Sequence, residues 1–114
     1  MSSPFVFMDV RTTDVGASRR FYTELFGWQV ADLPVPMFTG ETGPWGALTQ
    51  LAEDDARQPQ WIPYAPVADL DAAVAKAVGL GATVTRERVD LPQGSVTVIE
   101  DPVHATLALW EAHD

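Results

Sequence analysis

Met8-Asp9-Val10-Arg11-Thr12-Thr13-Asp14 opens a stretch that runs through a short amphipathic segment, stops at Gly27 and resumes as Trp28-Gln29-Val30. Ala65-Pro66-Val67-Ala68-Asp69-Leu70-Asp71 opens a second stretch that stops at Gly81 and resumes as Ala82-Thr83-Val84. Each reads as strand, acidic turn, helix, glycine stop and strand. Similarity at a period of half the chain points to two copies of one supersecondary unit that share a core.

Working outward, Phe5 to Thr12 alternates as a strand does, and Asp14 is placed to cap a helix containing Ser18 to Phe26. Phe21, Tyr22, Leu25 and Phe26 form its expected apolar side, and Gly27 supplies a left-handed stop. Strands follow at Trp28–Leu33, Met37–Gly40 and Trp45–Leu51, separated by the Pro34/Pro36 break and the turn Glu41-Thr42-Gly43-Pro44. Ala52 to Pro59, with Glu53-Asp54-Asp55 and Arg57, reads as an exposed connection. In the second half, Trp61 to Val67 is a strand whose Pro63 and Pro66 suggest an edge or rim position. Asp69 caps a helix about one turn shorter than the first, with Leu70, Ala73, Val74, Ala77 and Val78 on its apolar face. Gly79 and Gly81 end it. Three strands follow at Ala82–Arg88, Ser95–Ile99 and Thr106–Glu111. The chain is thus α+β, with two βαβββ modules at about residues 1–57 and 58–114.

The 114 residues suffice for one domain. No apolar run approaches the ~20 residues of a membrane span, and the N-terminus lacks the features of a secretory signal. No cysteine is present, which excludes disulfides, thiolate metal sites and thiol nucleophiles. A cytoplasmic location is the default. The net charge of −9 is spread over both halves, so a phosphate backbone is not an expected partner. An acidic surface favours solubility and attracts cationic small molecules.

Asp14…Phe21-Tyr22-Thr23-Glu24-Leu25-Phe26-Gly27-Trp28, then Trp61-Ile62-Pro63-Tyr64…Val67…Asp69-Leu70-Asp71-Ala72-Ala73, Gly81-Ala82 and Asp101-Pro102…Leu107-Ala108-Leu109-Trp110-Glu111 carry a resemblance over nearly the whole chain. It resembles the vicinal oxygen chelate superfamily, which includes glyoxalase I, bleomycin resistance proteins and extradiol dioxygenases. The resemblance implies a cup-shaped mixed sheet around a ligand cavity, helices on the outer face, and a homodimer. It also implies His and Glu side chains that hold one divalent metal, to which two adjacent substrate oxygens coordinate. The corresponding positions here are Phe7, Tyr64 and Ala108, and Gly46–Leu51 offers no His, Glu or Asp as a fourth ligand. Such a set is chemically wrong for a divalent ion. No metal and no other cofactor is therefore expected.

Strand alternation places Phe7, Asp9 and Arg11 on the cup face, with Ile62, Tyr64 and Pro66, and with His104, Thr106, Ala108 and Trp110. Val6, Met8, Val10, Leu107 and Leu109 fall on the helix side. Phe7, Tyr64 and Trp110 are read as pocket lining, with core packing as the other reading. Trp45 joins the ligand-binding set, though Trp45 and Trp61 also suit a rim or a dimer interface. Asp9 and Arg11 form either an ion pair satisfied within itself or a clamp for a substrate carboxylate. His104 is the candidate general base, although a turn histidine more commonly faces solvent. His113 reads as a frayed tail, and the Glu53-Asp54-Asp55 and Glu100-Asp101 runs as solvated charge and turn chemistry.

The expected function is metal-free binding of a small, partly aromatic or hydrophobic molecule, with drug sequestration as one form of it. Two alternatives stand beside it. One is a metal-dependent lyase, isomerase or dioxygenase using residues such as Asp9, His104 and Glu111. The other is a protein-interaction module.

Overall fold

The computed structural model describes residues 3–53 and 58–113. Asp54, Asp55 and Arg57, part of the expected acidic connection, lie outside the described residues. The chain divides into two compact units, Phe7–Ile62 and the segment from Pro63 onward together with the residues before Phe7. The division falls after Ile62, a few residues later than the sequence repeat suggests, because Trp61 packs with the first unit.

The first unit contains β1 (Phe7–Thr12), α1 (Val15–Phe26), β2 (Gln29–Asp32), β3 (Pro36–Gly40) and β4 (Gly43–Gln50). Its strands run in the order β2-β3-β4-β1, with β1 and β4 parallel and the other neighbours antiparallel. The second contains most of β5 (Gln60–Pro66), then α2 (Leu70–Gly79), β6 (Thr83–Asp90), β7 (Gly94–Glu100) and β8 (Thr106–Ala112). Its order is β6-β7-β8-β5, with β5 and β8 parallel and the rest antiparallel. The α+β class and the two βαβββ units read from the sequence are both present, with the same strand order in each.

Local chemistry explains where the helices begin and end. Asp14 is extended at φ −148° and its carboxylate accepts from Ala17 N–H at 3.0 Å. Gly27 takes φ 72°, the left-handed conformation that a residue without a Cβ enters at no steric cost, and donates to the Thr23 carbonyl at 2.9 Å. Asp69 repeats the N-cap on Ala72 N–H at 3.1 Å. The next amide, Leu70 N–H, goes to the Glu111 carboxylate at 2.7 Å, which ties α2 to β8. Each cap of this kind contributes about 1 kcal/mol.

In the first unit Val10, Phe38 and Leu48 form the buried centre, packed by Val15, Tyr22, Trp28, Val30, Trp45 and Trp61. The expected apolar side of α1 is corrected here. Phe21, Leu25 and Phe26 are more than half exposed. The helix meets the sheet through Val15 and Tyr22, seven residues apart, so those three side chains fall on its flank. In the second unit Leu70, Ile99 and Leu109 are packed by Ala73, Val74 and Ala77, as the helical spacing predicts. Val78 departs from it and is exposed. No helix among the described residues is long and apolar enough to cross a membrane.

Candidate functional site

Val10 packs beneath α1, so its neighbours Asp9 and Arg11 emerge on the opposite face of β1. Both are buried, their side chains 4% and 5% exposed. The Asp9 carboxylate accepts twice: Oδ1 from the Thr49 hydroxyl at 2.7 Å and Oδ2 from Arg11 Nε–H at 3.2 Å. Thr49 is where it must be because β4 runs parallel to β1 with Arg11 opposite Thr49. The ion pair expected as one reading is therefore made. It is not self-sufficient, since Nη1 and Nη2 of Arg11 have no acceptor among the described residues. Phe7, half-buried, has the same strand parity as Asp9 and Arg11.

In the second unit Ala65 and Leu109 pack toward α2, which sends Tyr64, Ala108 and Trp110 to the other face. Tyr64 stands opposite Ala108 in the β5–β8 register, and its ring centroid lies 6.1 Å from that of Trp110. Ala108 is fully buried, while Tyr64 and Trp110 are half-buried. Gly94 underlies this arrangement. A Cβ there would collide with the Trp110 ring and the Glu111 carbonyl. Thr106 sits opposite Glu100 at the start of β8.

His104 occupies the turn before β8 with φ 70°, the left-handed region that a side chain enters at a cost. Its ring is 77% exposed and its Nδ1 lies 3.0 Å from Glu100 Oε1. The turn is held by Asp101, whose Oδ1 accepts from Val103 N–H and Ala105 N–H at 2.9 and 3.0 Å. Glu100-Asp101 is thus turn chemistry, as the sequence suggests.

Trp45 and Trp61 belong to an aromatic cluster on the α1 side of the first unit. A bulge in the β3–β4 pairing between Phe38 and Thr39 turns Trp45 toward that side, where it stacks on Phe38 with centroids 4.9 Å apart. Trp61 stacks on the other flank of the cluster and donates its indole N–H to the Tyr22 hydroxyl at 2.9 Å. Trp45 also borders a cleft of about 500 Å³ with Trp28 and Glu41.

One group of residues went unread in the sequence, and it corrects the tail assigned to His113. The His113 amide donates to the Gln93 carbonyl at 2.8 Å, and its Nε2 lies 2.9 Å from the Ser95 hydroxyl. The same hydroxyl donates to Asp90 Oδ1, which also accepts from Arg88 Nε–H at 2.8 Å. Arg88 reaches on to Asp71 at 3.0 Å. The Ser95 hydroxyl and then the Arg88 guanidinium hold the Asp90 carboxyl below the ordinary aspartate range. Arg88 is in turn pushed upward, by Asp90 and then Asp71. Ser95 is fully buried, so no substrate reaches it, and the network works as a latch on the end of β8. The spacing Arg88-x-Asp90, two charges on one face of a strand, was its available signal.

The divalent metal that the resemblance implies does not fit these residues. The Phe7 and Ala108 side chains carry no lone pair, and Tyr64 offers a single phenol oxygen, an uncommon ligand for such an ion. Among the described residues no group of three or more His, Asp or Glu side chains gathers. Of the alternative set, Glu111 is engaged at the start of α2 and Asp9 is held by Thr49 and Arg11.

Two repeated βαβββ units, each a four-stranded sheet packed on one helix, define a class of α+β domains. The chain belongs to the glyoxalase-like domain family, which it matches over residues 5–109. Among its relatives is the protein named "Putative glyoxylase CFP32" of Mycobacterium bovis, 34% identical over 117 residues, which cover 94% of this chain and 45% of that protein. Another is the "Anthracycline biosynthesis protein DauV" of Streptomyces sp. (strain C5), 30% identical over 95% of this chain and 41% of that protein. The chain thus spans less than half the length of the curated relatives it matches. Among solved structures, methylmalonyl-CoA epimerase of Streptomyces coelicolor in complex with 2-nitronate-propionyl-CoA has the same fold, with a TM-score of 0.65 at 16% identity and full coverage of both chains. A glyoxalase/bleomycin resistance protein/dioxygenase superfamily member from Vibrio splendidus 12B01 gives 0.62 at 12% identity, covering 92% of this chain and 96% of that one.

Proposed function

We propose that this protein binds a small, partly aromatic or hydrophobic molecule without a resident metal, as a cytoplasmic homodimer, and that sequestration of such a compound is its role. The observation that supports this reading best is Arg11. Its guanidinium is buried, one nitrogen is used on Asp9, and the two terminal nitrogens lack an acceptor among the described residues. A buried donor without a partner costs about 1–3 kcal/mol, more for a charged group, so the fork favours a ligand that brings an acceptor. A carboxylate fits it in bidentate fashion. In the first unit Phe7 adds apolar surface to the Arg11 face by strand parity. In the second unit, taken by itself, the Tyr64–Trp110 pair supplies aromatic surface, with Thr106 at the start of β8 as a polar contact. The exposed flank of α1, Phe21, Leu25 and Phe26, supports self-association.

Relatives named for anthracycline biosynthesis make a polycyclic aromatic compound the first ligand class to test. The experiment is a titration of the protein with an anthracycline and with planar aromatic carboxylates, followed by tryptophan fluorescence and melting temperature. Binding raises the melting temperature with the logarithm of ligand concentration once the ligand exceeds its Kd, and Arg11→Lys weakens a carboxylate ligand about tenfold. Absence of quenching and of any melting shift at millimolar ligand defeats the reading. So does stoichiometric Zn, Ni, Fe or Mn in the purified protein accompanied by lyase or dioxygenase activity.

A further inference from the structure

A second site stands apart from the Arg11 face. Gly27, Trp28, Gln29, Thr39, Gly40, Glu41 and Trp45 line a cleft of about 500 Å³ in the first unit, within the size range of small-molecule sites. Four features of its wall agree in sign. Trp28 and Trp45 both line the cleft and meet edge to face, with centroids 4.9 Å apart and planes at 84°. Each indole is backed by another ring that fixes it: Phe26 stacks on Trp28 at 4.4 Å and Phe38 on Trp45 at 4.9 Å. Glu41, on the exposed β3–β4 turn, has no ion-pair or hydrogen-bond partner among the described residues. Gly27 belongs to the C-terminal end of α1, whose last turn contains no basic residue. That end carries a partial negative charge with no basic residue in its own turn to offset it.

Among the described residues no Lys, Arg or His lines the cleft, and the chain as a whole carries −9. A single carboxylate is too few hard ligands for a divalent ion, which asks for six or more oxygens when it is calcium. A neutral aromatic guest would cover Glu41 without pairing it. An alkylated ammonium satisfies both halves of the wall at once, with its methyl groups over the indole faces and its charge toward the carboxylate. We propose that this cleft is a binding site for small quaternary or tertiary ammonium compounds. The assignment is independent of the Arg11 reading, because it uses other residues on the α1 side of the unit.

The test uses choline and its neutral isostere 3,3-dimethylbutan-1-ol, added to the full chain while the four tryptophan indole N–H resonances are followed by NMR. Choline is expected to move the Trp28 and Trp45 resonances saturably, and the isostere to bind about fivefold more weakly. Glu41→Gln, on an exposed turn where it does not disturb the core, should weaken choline about fivefold and leave the isostere unchanged. Trp45→Leu should abolish both shifts at Trp28. If Trp45→Leu does not fold, the Glu41→Gln comparison decides alone. Equal affinity for choline and the isostere overturns the proposal, as does an unaltered choline affinity in Glu41→Gln. Movement of Trp110 in place of Trp28 and Trp45, or no movement at tens of millimolar choline, overturns it as well.

Discussion

Asp9 holds Arg11 by one nitrogen only: its Oδ2 accepts from Nε–H at 3.2 Å, and its Oδ1 is occupied by the Thr49 hydroxyl at 2.7 Å. This relationship orients the guanidinium while keeping its terminal fork open. It also makes the two residues energetically inseparable. Removing Asp9 strands a buried cation, whereas removing both charges leaves an apolar site. We expect Asp9→Ala to lower stability by about 3–5 kcal/mol, and Asp9→Ala combined with Arg11→Met to recover most of that loss. Urea unfolding of the single and double variants measures it. Additive losses would show that the pair is not coupled.

The position of Trp110 depends on a missing side chain. A methyl group at Gly94 would occupy space held by the Trp110 ring and the Glu111 carbonyl. Gly94→Ala should therefore cost about 1–3 kcal/mol and shift the Trp110 ring relative to Tyr64. Near-ultraviolet circular dichroism reports the second effect and thermal unfolding the first. Unchanged aromatic dichroism would mean that the strand yields and the ring stays.

These two cases show where the sequence was legible. The caps at Asp14 and Asp69, the stop at Gly27 and the buried Leu70 are all fixed by residues within a few positions of one another, so spacing was enough. Face assignment along β1, β5 and β8 followed from parity for the same reason. The side on which Trp45 lies was not legible, because a bulge between Phe38 and Thr39 shifts the β3–β4 register. The exposed flank of α1 escaped because which helical stripe meets a sheet depends on the docking angle, and Phe21, Leu25 and Phe26 are as apolar as the half-buried Val15 and Tyr22 side. His113 was misread since its partner, Ser95, lies across the β7–β8 hairpin.

The Ser95 latch makes a signed pH prediction. Ser95 and Arg88 lower the Asp90 pKa in the folded chain below its ordinary value of 3.8. Above that value the carboxylate is charged in both states, and the latch contributes in full. As pH falls through the folded-state pKa, Asp90 takes up a proton and the contribution is lost. Ser95→Ala removes the largest cause of the shift, so the Asp90 carboxyl should titrate at higher pH and acid unfolding should begin earlier. Carbon-13 titration of Asp90 and acid-unfolding curves of both proteins provide the measurement. An Asp90 titration that does not move would place the cause on Arg88 alone.

His104 offers a prediction of opposite sign. Its backbone is held at φ 70° by the turn that Asp101 organises, and a side chain there is strained whether or not it reacts. The contact of its ring with Glu100, at 3.0 Å, is open to solvent on the histidine side and offsets little of that strain. His104→Gly should therefore stabilise the chain by about 0.5–1 kcal/mol. His104→Ala, which keeps the strain and loses the contact, should not stabilise it. If His104 serves as the base of a reaction, both variants abolish activity alike. A histidine retained for binding alone leaves affinity for an aromatic ligand within about twofold in the glycine variant. Melting temperature and ligand titration on the same two proteins separate the outcomes, because strain follows the backbone and chemistry follows the ring.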